Sequence, residues 1–188
     1  PHDSDPGVER VFRGHGDSDW KLASVWERFM AQSPREQRTR AKPVLERKLA
    51  AFKEHSVGLV GFDSKELTTD LDWWALGRHF GLVTPLLDWT RSPYVAAFFA
   101  WTGYYESRNR DLAFWGATEV KWGDHAIAIW EFRRPQQDSG LPELQFRTSR
   151  IEGARRQKAQ QGLFTVLDDQ EHCDLESYLK AKGLIDRL

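Results

Sequence analysis

The chain carries 188 residues, with 27 Lys and Arg against 28 Asp and Glu, a net charge of −1 and a single cysteine. That length builds one domain that buries its core without covalent staples, and a lone Cys173 excludes an internal disulfide or a cysteine-built zinc site, which fits a reducing, cytoplasmic setting. The balanced charge lacks the basic excess that marks a nucleic-acid binder, although Arg35–Lys48 and Arg147–Lys158 are locally basic.

Residues 1–9 are polar and read as a flexible lead-in to a domain over residues 10–188. They hold no signal-peptide core, and without an initiating Met the chain reads as a trimmed piece of a longer protein. Val11-Phe12-Arg13-Gly14 is a predicted strand running into a turn at Asp17-Ser18-Asp19, and Trp20-Lys21-Leu22 opens an apolar segment on the same core. Ser33-Pro34-Arg35-Glu36 predicts the start of the first long helix, with Ser33 as N-cap and Glu36 three residues on. Pro43 kinks or restarts it, after which Leu45, Leu49, Phe52 and Val57 keep a helical spacing. A second helix is expected from Ser64 or Thr68 to His79, closed by Gly81. Leu82–Trp89 is apolar and extended, broken by Pro85.

Ser92 and Pro93 open a third helix. Its residues Tyr94 to Trp101 are apolar almost all round, the pattern of a helix buried inside a domain. Ala126–Phe132, Leu144–Phe146 and Gly162–Leu167 read as strands, and Asp174 caps a last helix, Leu175–Lys182, closed by Gly183. Helices come first and strands later. That order predicts an α+β single domain, with helices mainly in the first half packed on a mostly antiparallel sheet. Nine Trp and eleven Phe predict a dense aromatic core, with some rings available to line a pocket for a flat ligand.

Four polar positions stand where folding alone does not require them. Arg13 offers a planar fork suited to phosphate or carboxylate, and Gly14 beside it lets a ligand approach the backbone. The competing reading is an ion pair with Asp17, Asp19 or Asp88. His79 ends a helix, where its charge is favoured; it can donate to a ligand, act as acid or base, or simply cap. Asp88 lies between apolar flanks and needs a cation, Arg13 or Arg91, so it holds Arg13 rather than touching a substrate. Gln160, at the lip of a strand, can position a ribose hydroxyl but does not titrate, and Arg155 and Arg156 before it suit phosphate. No Walker loop, three-glycine fingerprint, His-Glu-x-x-His helix or nucleophile elbow is present. The six His have no metal-ligand spacing, so no metal is predicted, and no apolar run approaches the roughly 20 residues that span a bilayer.

Four blocks together resemble the FRG domain family, named for its Phe-Arg-Gly triplet. They are Val11-Phe12-Arg13-Gly14-His15-Gly16-Asp17 through Leu22, Arg78-His79-Phe80-Gly81 through Leu87-Asp88-Trp89-Thr90, Arg91-Ser92-Pro93-Tyr94 through Ala100, and Arg156-Gln157-Lys158-Ala159-Gln160-Gln161-Gly162 through Thr165. One departure is Val83-Thr84-Pro85-Leu86, where the family pattern has Pro-Thr-Arg-Leu; Arg91 or Arg78 is left to replace that basic residue. The family occurs mainly in bacteria and their phages, alone or fused to other domains. Its layout is similar to ADP-ribosyltransferases of the Arg–Ser–Glu type, which implies an ADP-ribosyltransferase-like sheet. By that resemblance Arg13 binds the phosphates of NAD, Ser92 and His79 hold ribose, and Phe80 or Trp89 stacks on a base. Asp88, Arg91 and Arg156 complete the binding wall. Gln160 falls near the catalytic Glu, and since an amide stabilises a sugar cation weakly, Glu131 or Glu152 would supply the charge.

The implied function is an enzyme that takes NAD as substrate, breaks its nicotinamide–ribose bond and passes ADP-ribose to a protein, a nucleic acid or water, in a bacterial toxin or phage-defence setting. The alternative is a non-catalytic nucleotide-sensing module that signals to a fused or partner domain. A nucleic-acid-processing enzyme is the third reading and rests only on the two basic stretches. No membrane partner is expected.

Overall fold

The computed structural model describes residues 8–34, 41–56, 67–115, 126–135, 141, 144–148, 162–167 and 174–188. Within them the strands are β1 (Val8–His15), β2 (Leu87–Thr90), β3 (Ala128–Pro135), β4 (Leu144–Thr148), β5 (Gly162–Leu167) and β6 (Ile185–Arg187). The helices are α1 (Val25–Ala31), α2 (Ala41–Ser56), α3 (Asp70–His79), α4 (Pro93–Trp115) and α5 (Leu175–Ala181). The strands form one sheet in the order β4-β5-β2-β1-β3-β6, with every neighbouring pair antiparallel. The fold is α+β, as the composition of its elements predicted, although the helices are interleaved with the strands rather than gathered ahead of them.

Alternation along the strands gives the sheet two apolar faces. On one, Val11, Leu87, Trp89, Trp130, Phe132, Leu163 and Leu167 pack with Leu22, Ile185 and the α5 residues Leu175 and Leu179. On the other, Phe164 and Val166 meet Leu49 of α2, Trp74 and Ala75 of α3, and Leu86. Each of these buried side chains contributes about 1.5–3 kcal/mol relative to exposure, so helices are needed on both faces.

Helix α4 lies directly on β1. A Cβ at Gly14 would stand 1.9 Å from the Ala96 carbonyl oxygen, and one at Gly16 would stand 2.3 Å from the Tyr104 nitrogen. The seated face of α4 is therefore small or backbone-like, with Ala96 and Ala100 buried. That arrangement overturns the expectation of a helix buried on all sides. Tyr94, Phe98, Trp101 and Tyr105, at 85, 61, 57 and 55 % exposure, point outward because the sheet-facing positions leave no room for rings.

Helix starts follow local chemistry. Ser24 and Glu27 form the capping box that begins α1, a helix the apolar run after Trp20 did not predict. Ser33 closes α1 instead of opening the long helix: its N–H donates to the Met30 carbonyl and its hydroxyl to that of Phe29. Residues 35–40 lie outside the described residues, and α2 carries Pro43 in its first turn, where no intrahelical N–H bond is lost. Thr69 caps α3 through Asp72. The helix ends in a Schellman turn: Gly81 has φ +80°, and the Leu82 N–H reaches the Gly77 carbonyl at 2.9 Å. Among the described residues no helix is long and apolar enough to cross a membrane.

Candidate functional site

The strands β1 and β3 pair over eight residues, whereas β1 and β2 pair only at Phe12 and Thr90. Beyond that pair the β1–β2 ladder stops, and Asp88 keeps its ladder partner Phe164 in β5. Arg13 reaches across from β1. Its Nη1 donates to the Asp88 main-chain oxygen at 2.8 Å and to the carboxylate Oδ1 at 3.0 Å. Arg78, in the last turn of α3, reaches the same Oδ1 at 2.5 Å through Nη2 and the Leu86 carbonyl at 3.3 Å through Nη1. The Schellman turn after His79 fixes the end of α3 and so aims Arg78 at β2. Burial alone would raise the Asp88 carboxyl. Its side chain keeps 44 % exposure, which softens that penalty, and the guanidiniums of Arg13 and Arg78 hold it down at about 2.

Arg13 is gripped at its other end by His15. Arg13 Nε points to His15 Nε2 at 3.2 Å, and Trp130 Nε1 points to His15 Nδ1 at 3.2 Å. A neutral imidazole accepts at one nitrogen only, so one of these two contacts is not a full hydrogen bond. Burial first, then the Arg13 charge, lower the His15 pKa to about 4. The ring therefore stays neutral at physiological pH and orients Arg13 without competing for an anion.

Between β1, β2 and α4 lies a hollow of about 180 Å³. It is lined by Phe12, Arg13 and Gly14 of β1, Asp88 and Thr90 of β2, and Ala96 and Phe99 of α4. Typical small-molecule sites span about 300–1,000 Å³, so this hollow fits one portion of a ligand, such as a sugar with its phosphate.

The family model of the FRG domain matches residues 9–109, more than half of the chain. The chain belongs to the FRG domain family. No curated protein and no solved structure matches it. The match to the FRG domain includes Arg13, Arg78, Asp88 and Ser92 but ends before Gln160.

Of the site residues expected from the sequence, Arg13, Gly14 and Asp88 come together in this hollow of the FRG domain. The close approach at Gly14 is made by the α4 backbone, which takes the place that a ligand was expected to fill. Trp89 belongs to the opposite face of the sheet: it is 3 % exposed in the core and its Nε1 donates to Thr165 Oγ1 at 2.9 Å, so no face is open to a base. Phe80 is exposed and tilts against Phe52, with ring centroids 6.3 Å apart, and His79 is exposed beside it; neither lines the hollow. Ser92 acts as the cap of α4, its hydroxyl accepting the Val95 N–H at 3.4 Å. Arg91 pairs with Glu9 at 2.5 Å, which also holds Arg134 at 3.0 Å, away from Asp88. Gln160, Arg155, Arg156 and Glu152 lie outside the described residues. Glu131 is buried across the ladder from Phe12, 3.2 Å from Arg10.

Sequence reasoning missed His15 and named Arg78 only as a substitute for an absent basic residue. A basic residue in the last turn before a Gly stop was the available signal for Arg78; nothing local marks His15 as the partner of Trp130, 115 positions away. Among the described residues no cluster of three or more His, Cys, Asp or Glu could hold a metal ion.

Proposed function

We propose that this FRG domain binds a nucleotide of the NAD class through its phosphate and acts as an ADP-ribosyltransferase-like enzyme. The observation that carries the reading is Arg13, a lining residue of the hollow between β1, β2 and α4, whose guanidinium pairs with Asp88, another lining residue. A fork held by the Asp88 carboxylate and main-chain oxygen has already given up part of its rotamer freedom, so a phosphate meets donors that need little rearrangement. In the proposed reaction the C1′–N bond of NAD breaks heterolytically. The electron pair leaves with neutral nicotinamide, and an acceptor oxygen or nitrogen adds to the sugar cation and loses its proton to solvent. Nicotinamide release from NAD by the intact chain, abolished by Arg13→Ala with the circular dichroism spectrum retained, is the expected result. No release with any acceptor and no NAD binding would remove the reading.

One observation favours binding without turnover. Asp88 is the carboxylate among the described residues lining the hollow, and two guanidiniums already neutralise it. It adds little to the stabilisation of a sugar cation. A sensor of this kind would show a raised melting temperature with NAD and no nicotinamide release.

A further inference from the structure

Helix α4 carries its rings on the side turned away from the sheet. Tyr94, Phe98, Trp101 and Tyr105 are exposed, whereas Ala96, Ala100 and Tyr104 are buried. Successive exposed rings stand four, three and four residues apart. Spacing that averages 3.5 residues lines side chains up along one helix face and is the spacing at which two helices interlock. The central rings are already held. Phe98 meets Phe99 edge-on with centroids 5.8 Å apart, and Trp101 leans on Tyr104 at 6.1 Å. Rings ordered in this way lose less freedom on docking. Thr102 donates its hydroxyl to the Phe98 and Phe99 carbonyls at 2.9 and 3.2 Å, so covering it strands no donor.

Area and symmetry say what covers this stripe. At about 150–250 Å² for a whole aromatic side chain, the exposed parts of the four rings amount to about 500 Å². A stable interface buries about 800 Å² per partner. The rings supply more than half of that, and Ala97, Phe99 and Thr102 beside them, none of them buried, extend it. The spacing four, three, four also reads the same in both directions. With a second α4 turned end for end about a twofold axis midway between Phe99 and Ala100, Tyr94 falls opposite Tyr105 of the copy and Phe98 opposite its Trp101. No Asp, Glu, Lys or Arg occurs from Ser92 to Tyr105, so two such stripes meet without like-charge repulsion and offer nothing to a charged partner. Phe98 and Trp101 then form an apolar centre, and the two tyrosines keep their hydroxyls at a wet rim.

We propose that this face of α4 docks a second copy of the chain, helix against antiparallel helix, in a twofold dimer. The dimer does not depend on what the hollow binds.

The test is light scattering after size exclusion, on the whole chain, over a concentration series reaching roughly 100 μM. Wild type is compared with Phe98→Glu, Trp101→Glu and Phe29→Glu, the last changing an exposed ring on α1. The mass of wild type and Phe29→Glu should rise toward twice the 21.8 kDa of one chain. Both α4 variants should stay at one chain with the circular dichroism spectrum retained, and either one suffices should the other fail to fold. Register is read by oxidative cross-linking of Tyr94→Cys and Tyr105→Cys chains, each also carrying Cys173→Ser. A disulfide-linked dimer should form when the two are mixed and not from either alone; linkage within each alone and none in the mixture would overturn the antiparallel arrangement. A wild type that stays monomeric throughout overturns the proposal, as does a dimer that persists in the folded α4 variants or is lost equally in folded Phe29→Glu. A monomer that sediments with phosphatidylcholine vesicles gives the face to a lipid surface and overturns it too.

Discussion

Replacing Gly14 by Ala separates the two meanings of the Phe-Arg-Gly triplet. If the glycine made room for a ligand, the extra methyl would spare the fold and block binding. The structure puts helix backbone in that space: the added Cβ would lie 1.9 Å from the Ala96 oxygen and 2.6 Å from the Ala100 nitrogen. Carbon makes comfortable contact near 3.5 Å, so α4 would have to lift by about 1.5 Å, and backbone cannot rotate away as a side chain does. Overpacking of this kind costs roughly 1–3 kcal/mol or more, and an immovable neighbour sets it at the upper end. The smaller unfolded-state entropy of Ala returns about 0.4–1 kcal/mol. A net loss of about 2–3 kcal/mol is expected, a fall in melting temperature of about 5–10 °C for a chain of this size. Urea denaturation measures it directly. Gly81→Ala is the comparison, since φ there is +80° with nothing within 4 Å of a new Cβ; only backbone strain of about 1–2 kcal/mol applies. A Gly14→Ala protein that melts with wild type but no longer binds NAD would refute the packing argument.

Three further outcomes follow from the site and the core. The folded-state His15 pKa of about 4 lies below the ordinary 6.5, so the stability it contributes is complete above pH 6.5 and drains away as pH falls toward 4; NMR titration should find this ring neutral at pH 5.5, and a midpoint near 6.5 would contradict its burial against Arg13. Asp88, held at about 2 against an ordinary 3.8, contributes stability that persists above pH 3.8 and is lost as pH falls through 2. Asp88→Asn should flatten the unfolding free energy between pH 4 and 2, and an unchanged slope would show that Arg13 and Arg78 do not depend on its charge. Trp89→Phe strands the fully buried Thr165 hydroxyl, which should cost about 1–3 kcal/mol in denaturation experiments without altering NAD affinity; lost affinity with unchanged stability would return Trp89 to the binding site.

The local signals for elements were largely legible. Pro93 after Ser92, Gly81 after His79, and Asp174 with Gly183 each mark a helix end, because capping depends on residues a few positions apart. Two Ser-x-x-Glu patterns occur within the first 36 residues, at Ser24 and Ser33. The earlier one starts α1, and choosing between them needs knowledge of what each helix packs on. The apolar composition of α4 suggested burial, but composition does not show that β1 presents Gly14 and Gly16 and so admits only the Ala and Gly side of that helix. The site divides the same way. Arg13 and Asp88 stood out as polar groups in apolar runs, and their pairing was among the expected alternatives. The convergence of Arg78 on Asp88 and of Trp130 on His15 depends on how α3 and β3 are arranged around β1 and β2, which no local pattern carries.

Everything proposed of the site turns on a nucleotide phosphate meeting Arg13. A crystal structure of the chain with NAD tests it most directly. Phosphate oxygens are expected within about 3 Å of Arg13 in the hollow beside α4, with the Asp88 pairing kept. NAD density on another face, or a hollow that stays empty while NAD binds elsewhere, would contradict it.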